Sequence, residues 1–237
     1  MKPGDPQAVR ELFDSIAPRY DQLNDLLSLG LHRVWKRQAV RWLEPAPGQQ
    51  LIDLCCGTGD LALLLAAKLR PGGRVLGLDA AAAPLAIAQR RSARQPWLPV
   101  CWQQGDALAT GLASGRFDGA VMAYGLRNLN APGPGLQELR RLLRPGGRAA
   151  VLDFNRPDPA TPAGAAAASF QQLYLRRLVV PAARRFGLPE QYAYLEASLE
   201  QFPRAADQEA MARRAGFTQV RHRPLMGGLM GLLQLVA

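Results

Sequence analysis

Apolar positions along the chain change their period twice. Over residues 6–44 they recur at helical spacing: Val9, Leu12, Phe13 and Ile16, then, beyond Pro18, a second run over 20–29. A third run sets Leu31, Val34, Trp35, Val40 and Leu43 among basic residues, and Pro45-Ala46-Pro47-Gly48 ends it. Short, nearly continuous apolar stretches follow, which predict strands over 50–54, 74–78, 100–103, 117–123 and 148–154. Helical stretches over 60–69, 84–94 and 135–143 separate them. This alternation predicts a doubly wound α/β sheet with its ligand crevice outside the carboxyl ends of the strands. Residues 155–205 break the rhythm with helical segments rich in alanine, arginine and aromatics. A helix over 207–215 and strands over 217–223 and 229–236 close the chain, joined by Met226-Gly227-Gly228, a hairpin signal.

Composition narrows the classes. A chain of 237 residues with 48% hydrophobic and 20% charged positions fits one domain with a sizeable core, and excludes disorder and coiled coil. The net charge of +10 raises nucleic acid, an anionic membrane or plain arginine bias as explanations, since only Lys2, Lys36 and Lys68 are lysines. The arginines are dispersed, without the basic and aromatic track that nucleic acid requires, and no nucleic-acid partner is expected. The exception is 170–187, where Arg176, Arg177, Arg184 and Arg185 occur with no acid, and Phe170, Leu173, Tyr174 and Leu178 fall on one helical stripe. That segment suits peripheral contact with an anionic membrane, or equally a core-facing helix with a solvated basic side. Cys55, Cys56 and Cys101 form neither a disulfide framework nor a metal site, and no metal is expected. With no apolar segment at its start, the chain reads as cytoplasmic.

The chemistry-bearing residues fall at strand ends. The first strand runs into Asp53-Leu54-Cys55-Cys56-Gly57-Thr58-Gly59-Asp60, where two close glycines allow a tight turn against a ligand. A dinucleotide loop counted from Gly57 and Gly59 would carry its third glycine where Ala62 stands, and Asp53 would repel a pyrophosphate. Asp79, ending the second strand, is suitably placed for ribose hydroxyls, with Ala80 beside it. Asp106 and Ala107 follow the third strand. Three acids on three successive strand ends suit a zwitterionic nucleoside with a sulfonium centre, S-adenosylmethionine.

A parallel sheet closed by an antiparallel terminal hairpin resembles the class I S-adenosylmethionine methyltransferase fold, a Rossmann-like architecture. Three stretches narrow the likeness. Tyr20-Asp21-Gln22-Leu23-Asn24 through Ser28, His32 and Trp35 resembles the YDxMNxxxSxxxHxxW signature of the ubiquinone/menaquinone biosynthesis C-methyltransferase family, with Leu23 in place of methionine. Ala123-Tyr124-Gly125-Leu126-Arg127-Asn128 resembles its SFGLRN segment, and Arg141 to Gly147 its RVLKPGG turn. The resemblance implies one methyltransferase domain over 1–237, with a helical lid over 6–44, a cofactor-binding core over 48–154, a helical insert over 155–205 and a closing unit over 206–237. It implies Tyr20 beside the cofactor carboxylate, and Asp21 and Asn24 structuring the lid. Ala123 stands where relatives use a cofactor-contacting serine. The ending Leu152-Asp153-Phe154-Asn155-Arg156-Pro157, where the bacterial pattern is Leu-Glu-x-Ser, is more similar to the cyanobacterial branch. That branch methylates 2-phytyl-1,4-naphthoquinone in the last step towards phylloquinone.

The expected reaction is methyl transfer to a ring carbon of a prenylated naphthoquinol. Demethylmenaquinol, a benzoquinone precursor of ubiquinone, and a non-catalytic cofactor-binding scaffold remain alternatives, as does a homodimer. Arg127 is the candidate to stabilise a developing quinol oxyanion. Tyr124 and Asn128 would orient the ring. His32 is the titratable base nearest neutrality, with Asp153 or a water as competitors.

Overall fold

A computed structural model describes residues 5–19, 24–25, 28, 30–179, 181 and 189–237. The chain opens on helix α1 (Pro6–Ile16), whose N-cap Asp5 accepts the free Gln7 and Ala8 N–H groups, and on α2 (His32–Leu43). Then come β1 (Gln50–Leu54), α3 (Asp60–Ala66), β2 (Arg74–Asp79), α4 (Ala82–Ala93), β3 (Val100–Gln104), β4 (Phe117–Ala123), α5 (Pro132–Leu142) and β5 (Leu143–Phe154). The insert contributes α6 (Pro162–Tyr174), which runs into a π-helical turn, and α7 (Pro189–Gln201). Helix α8 (Ala205–Arg214) and the hairpin β6 (Gln219–Leu225) and β7 (Met230–Val236) complete the chain.

The seven strands form one sheet in the order β3-β2-β1-β4-β5-β7-β6, parallel except where β7 lies antiparallel to both neighbours. The short strands are apolar on both sides because helices cover both faces. In β1, Leu51 packs under α2 and α3 with Trp35, Val40 and Leu65, while Ile52 and Leu54 pack on the opposite face with Leu136 and Leu139 of α5. With a side-chain period of two, Asp53 therefore faces α2 and α3. That alternation sets the electrostatics of the site.

Predicted and observed boundaries differ for identifiable reasons. Helices α4 and α5 begin at Ala82 and Pro132 rather than at 84 and 135. Pro84 and Pro132 sit in first turns, where an N–H has no intrahelical acceptor to lose. Strand β5 starts at Leu143, not 148: Leu143 pairs with Phe117 and Arg148 with Gly119, so the Pro-Gly-Gly turn is a bulge within a longer strand. The apolar stripe proposed over 170–178 divides. Tyr174 packs against the core, whereas Phe170 and Leu173 are exposed by 44% and 53%; the Leu178 side chain lies outside the described residues.

Glu138 of α5 fixes the loop that leads away from β3. Its Oε1 accepts from Thr110 N at 3.0 Å and Thr110 Oγ1 at 2.6 Å, and its Oε2 from Arg141 Nε at 2.7 Å. The Arg141 hydrogen bonds are the main cause that holds this carboxyl at about 2, against an ordinary 4.5. Glu138→Ala leaves the buried Thr110 N–H without its acceptor and is expected to cost about 2–3 kcal/mol at pH 7 in urea unfolding. The folded state binds this proton less readily than the unfolded chain. The contribution is therefore complete above the unfolded value near 4.5, and the gap between wild type and variant narrows as pH falls from there towards 2.

Candidate active site

The sheet order arranges the strand ends in a row: Asp106 beyond β3, Asp79 on β2, the loop after β1, Ala123 ending β4 with Tyr124 after it, then Asp153 on β5. A cavity of about 450 Å³ lies along the first four. Its walls include Asp79, Ala80, Asp106, Ala107, Cys55, Gly57, Ala123, Tyr124 and Asn128. Helix α1 supplies the facing wall through Val9, Arg10 and Phe13; the sequence set Val9 and Phe13 on the apolar stripe of the expected lid without assigning them to the site. The helix is held there by Asp14, whose Oδ1 accepts Ala83 N–H of α4 at 2.8 Å. Arg10 is the only cation among the described residues lining the cavity.

Asp79 is the organising acceptor of that wall. Its Oδ2 takes Gly57 N–H at 2.7 Å and its Oδ1 takes Ala81 N–H at 2.9 Å, so the β2 carboxylate shapes the loop after β1. Each oxygen keeps a further lone pair for a hydroxyl donor. Burial raises the Asp79 carboxyl above its ordinary value, and these backbone donors oppose the shift. The loop is tight: Cys55 has φ +56, Gly57 +54 and Gly59 +86. A Cβ at Gly59 would meet Trp102 at 2.5 Å, whereas the Cβ side of Gly57 is open. Across the crevice Tyr124, also left-handed at φ +60, turns the chain out of β4. Both cysteine thiols are pushed well up by burial and by the surrounding acids, so they stay neutral.

Asp53, Thr58 and Gly59 do not line the described cavity but stand behind its wall. Asp53 is 1% exposed and accepts Ala62 N–H at 2.9 Å, tying β1 to α3. Burial pushes its carboxyl up to about 8, with the Lys36 charge acting in the opposite direction. Thr58 is buried and accepts from Arg91 at 3.1 Å through its carbonyl and 3.2 Å through Oγ1. Asp60 then takes Lys36 Nζ on Oδ2 and Arg91 Nη1 on Oδ1, each at 2.8 Å. Burial pushes the Asp60 carboxyl up, and these two cations outweigh it and hold it low. Lys36 gave no sequence signal, because its partner lies 24 residues away on another helix.

His32 begins α2, buried against Ser28. Ser28 Oγ lies 2.5 Å from Asn24 O and 2.7 Å from His32 Nδ1. Nε2 lies 3.7 Å from Asp25 Oδ1. Burial, and then the Lys36 charge, lower its pKa below 6.5, so the ring is neutral at pH 7. Arg127 lies against Asp153: Nη1 reaches Oδ1 at 2.7 Å and the Arg127 N–H reaches Oδ2 at 3.1 Å. Phe154 N–H adds a third donor at 2.8 Å, which occupies Asp153 as an anchor rather than leaving it open as a base. The guanidinium lies 5.2 Å from the Phe154 ring centroid. Asn128 donates to Tyr124 O at 2.7 Å and accepts from Tyr194 of α7 at 3.0 Å, so the insert reaches the site. Tyr20 and Asp21 lie outside the described residues.

Acceptors at the β3 and β2 ends fit the amine and hydroxyls of an adenosine, and the nearly cation-free lining does not fit a pyrophosphate. With the seven-stranded order and its antiparallel β7, this crevice defines a class I S-adenosylmethionine-dependent methyltransferase. More narrowly, the chain belongs to the ubiE/COQ5 methyltransferase family, whose model matches residues 1–234. It is 51% identical to a "2-phytyl-1,4-naphtoquinone methyltransferase" of Thermosynechococcus vestitus, over 94% of this chain and 96% of that one. A protein of the same name from Synechococcus elongatus is 48% identical over 98% of both chains. Among solved structures, a SAM-dependent methyltransferase from Aquifex aeolicus shares the fold, with a TM-score of 0.61 at 16% identity over 98% of each chain.

Between an unfolded pKa near 3.8 and a folded value of about 8, the fold retains an Asp53 proton that the unfolded chain releases. Burying Asp53 therefore costs more stability as pH rises through that window. Asp53→Asn is expected to gain on wild type between pH 5 and pH 8, with a relative rise in thermal midpoint of roughly 4 °C or more. Scanning calorimetry at the two pH values measures it.

Proposed function

We propose that this chain transfers a methyl group to the free ring carbon of 2-phytyl-1,4-naphthoquinol, in the last step towards phylloquinone. The observation that carries this reading is the name shared by relatives 48–51% identical over nearly its whole length. S-adenosylmethionine supplies a methyl already activated on a sulfonium, so the protein's work is alignment, exclusion of water and management of one proton. Asp79 would accept the ribose hydroxyls and Asp106 the adenine amine, with Ala80, Ala107 and Ala123 admitting the nucleoside between them. Gly57 lets the backbone approach without a side chain. Tyr20 would close over the cofactor's carboxylate end.

The acceptor carbon is nucleophilic in the quinol and more so as its hydroxyl, with a phenol-like pKa of about 10, ionises. Arg127 stabilises the developing oxyanion, and Asp153 fixes the guanidinium in direction. Tyr124 and Asn128 orient the ring, and Phe154 offers an aromatic face beside Arg127. His32 Nε2 receives the proton, a role supported by its neutral state at pH 7. No helix among the described residues is long and apolar enough to cross a membrane. A lipid-tailed quinol would instead be collected from an anionic bilayer surface by the exposed Phe170 and Leu173, with Arg176 and Arg177 beside them.

Radiolabelled methyl transfer to reduced demethylnaphthoquinone, with none to the oxidised form, is the expected result; transfer to the oxidised form would overturn the quinol requirement. Comparing phytyl and polyprenyl tails tests the substrate. Arg127→Ala should lower kcat by about 100-fold or more while S-adenosylhomocysteine affinity changes less than about threefold. Equal losses in both would remove the role. The acid limb of the kcat profile should fall below pH 6.5, the direction in which His32 is shifted, and disappear in His32→Gln. In flotation, binding to anionic but not neutral liposomes is expected, reduced in Phe170→Ser/Leu173→Ser.

A further inference from the structure

Lys36 is a buried lysine with spare hydrogen-bonding capacity. Its side chain is 8% exposed, and its ammonium sits 5.9 Å from the Tyr124 ring centroid. An ammonium has three N–H donors, and burying them without acceptors is costly. Among the described residues one donor is used, on Asp60 Oδ2, and Asp60 gives its other oxygen to Arg91. The second acid near it, Asp53, is pushed up by burial and already accepts Ala62 N–H, so it offers less compensation than a free carboxylate. The cluster therefore favours an added anion.

Its location identifies the anion. Along the row of strand ends, the acids of β3 and β2 take the adenosine end of the cavity, and Lys36 stands farther along, outside the described lining and behind Tyr124 at the ends of β1 and β4. Tyr124, over which it sits, lines the cavity. S-adenosylmethionine carries an α-carboxylate at the end opposite its adenine. We propose that Lys36 is a cofactor-binding residue that pairs with this carboxylate and so sets which way the amino-acid end lies. The ammonium's two remaining donors match the two carboxylate oxygens, and its Asp60 bond aims it. The inference rests on the cofactor assignment above.

Calorimetric titration of the intact protein tests it without turnover. The two probes are S-adenosylhomocysteine and 5′-deoxy-5′-(3-aminopropylthio)adenosine, which keeps the amine and lacks the carboxylate. Wild type should prefer the first by about 30-fold, the scale of a charge-assisted hydrogen bond. Lys36→Met should bring the two within about threefold by weakening S-adenosylhomocysteine alone, and Lys36→Arg should restore most of the preference. A purely structural clamp predicts otherwise: Lys36→Met would weaken both ligands equally and leave the preference intact, and that result overturns the proposal. If wild type binds neither adenosyl ligand, the cofactor assignment falls and the proposal with it. If Lys36→Met fails to fold, Lys36→Gln serves the same comparison, judged by the same preference.

Discussion

The structure depends on the divergence of β1 and β4. These strands lie side by side and parallel, yet the chain leaves β1 towards β2 and β3 and enters β4 to continue towards β5. Among the described residues no strand connection crosses between their carboxyl ends, so a crevice opens there, rimmed by backbone that must make left-handed turns to leave it. Cys55, Gly57 and Gly59 on one side and Tyr124 on the other make those turns. At Gly125 an added Cβ would come within 2.7 Å of Cys55, so the two turns pack directly against each other.

Acids at this crevice serve different purposes according to how far along the strands they lie. Asp79 accepts two backbone N–H groups and keeps lone pairs for the cavity. Asp53 lies deeper, in the layer between sheet and α2, where burial makes ionisation costly. Asp53 pairs with Gly77, so Asp79, one period farther along β2, lies on the same face but beyond the strand ends, where it lines the cavity while Asp53 braces its wall. The same layer holds Lys36, Asp60, Arg91 and His32, so α2 brings a compact set of charges behind the loop. Across the row, Asp153 neutralises Arg127 and holds it in direction, while the polar end of Tyr194 brings the insert to Asn128.

Methyl transfer from a sulfonium asks for little acid–base chemistry, and the architecture agrees with that demand. Its polar groups are mostly bound to one another, which fixes their direction before substrate arrives. The basic excess that dominates the composition is largely peripheral to this arrangement. It is dispersed over the surface, and in the turn after α6 Arg176 and Arg177 are exposed beside Phe170 and Leu173.

Much of this was legible in the sequence. Strands buried on both faces must be apolar throughout, so 50–54, 74–78 and 117–123 were evident, and a turn of Gly57-Thr58-Gly59 beside acids pointed to the cofactor's class. Asp79, Asp106, Ala123 and Tyr124 could be placed because each ends a strand, and sheet order alone brings strand ends together. Side-chain contacts between distant segments carried no such local trace. That Asp53 faces a helix layer, that Lys36 meets Asp60 there, that α1 walls the cavity through Val9 and Phe13, and that Arg127 is held by Asp153 all follow from packing. Local period and turn chemistry determine where the elements begin and which edge binds; only their assembly decides which charges meet, because that depends on the face each residue presents once the layers have closed.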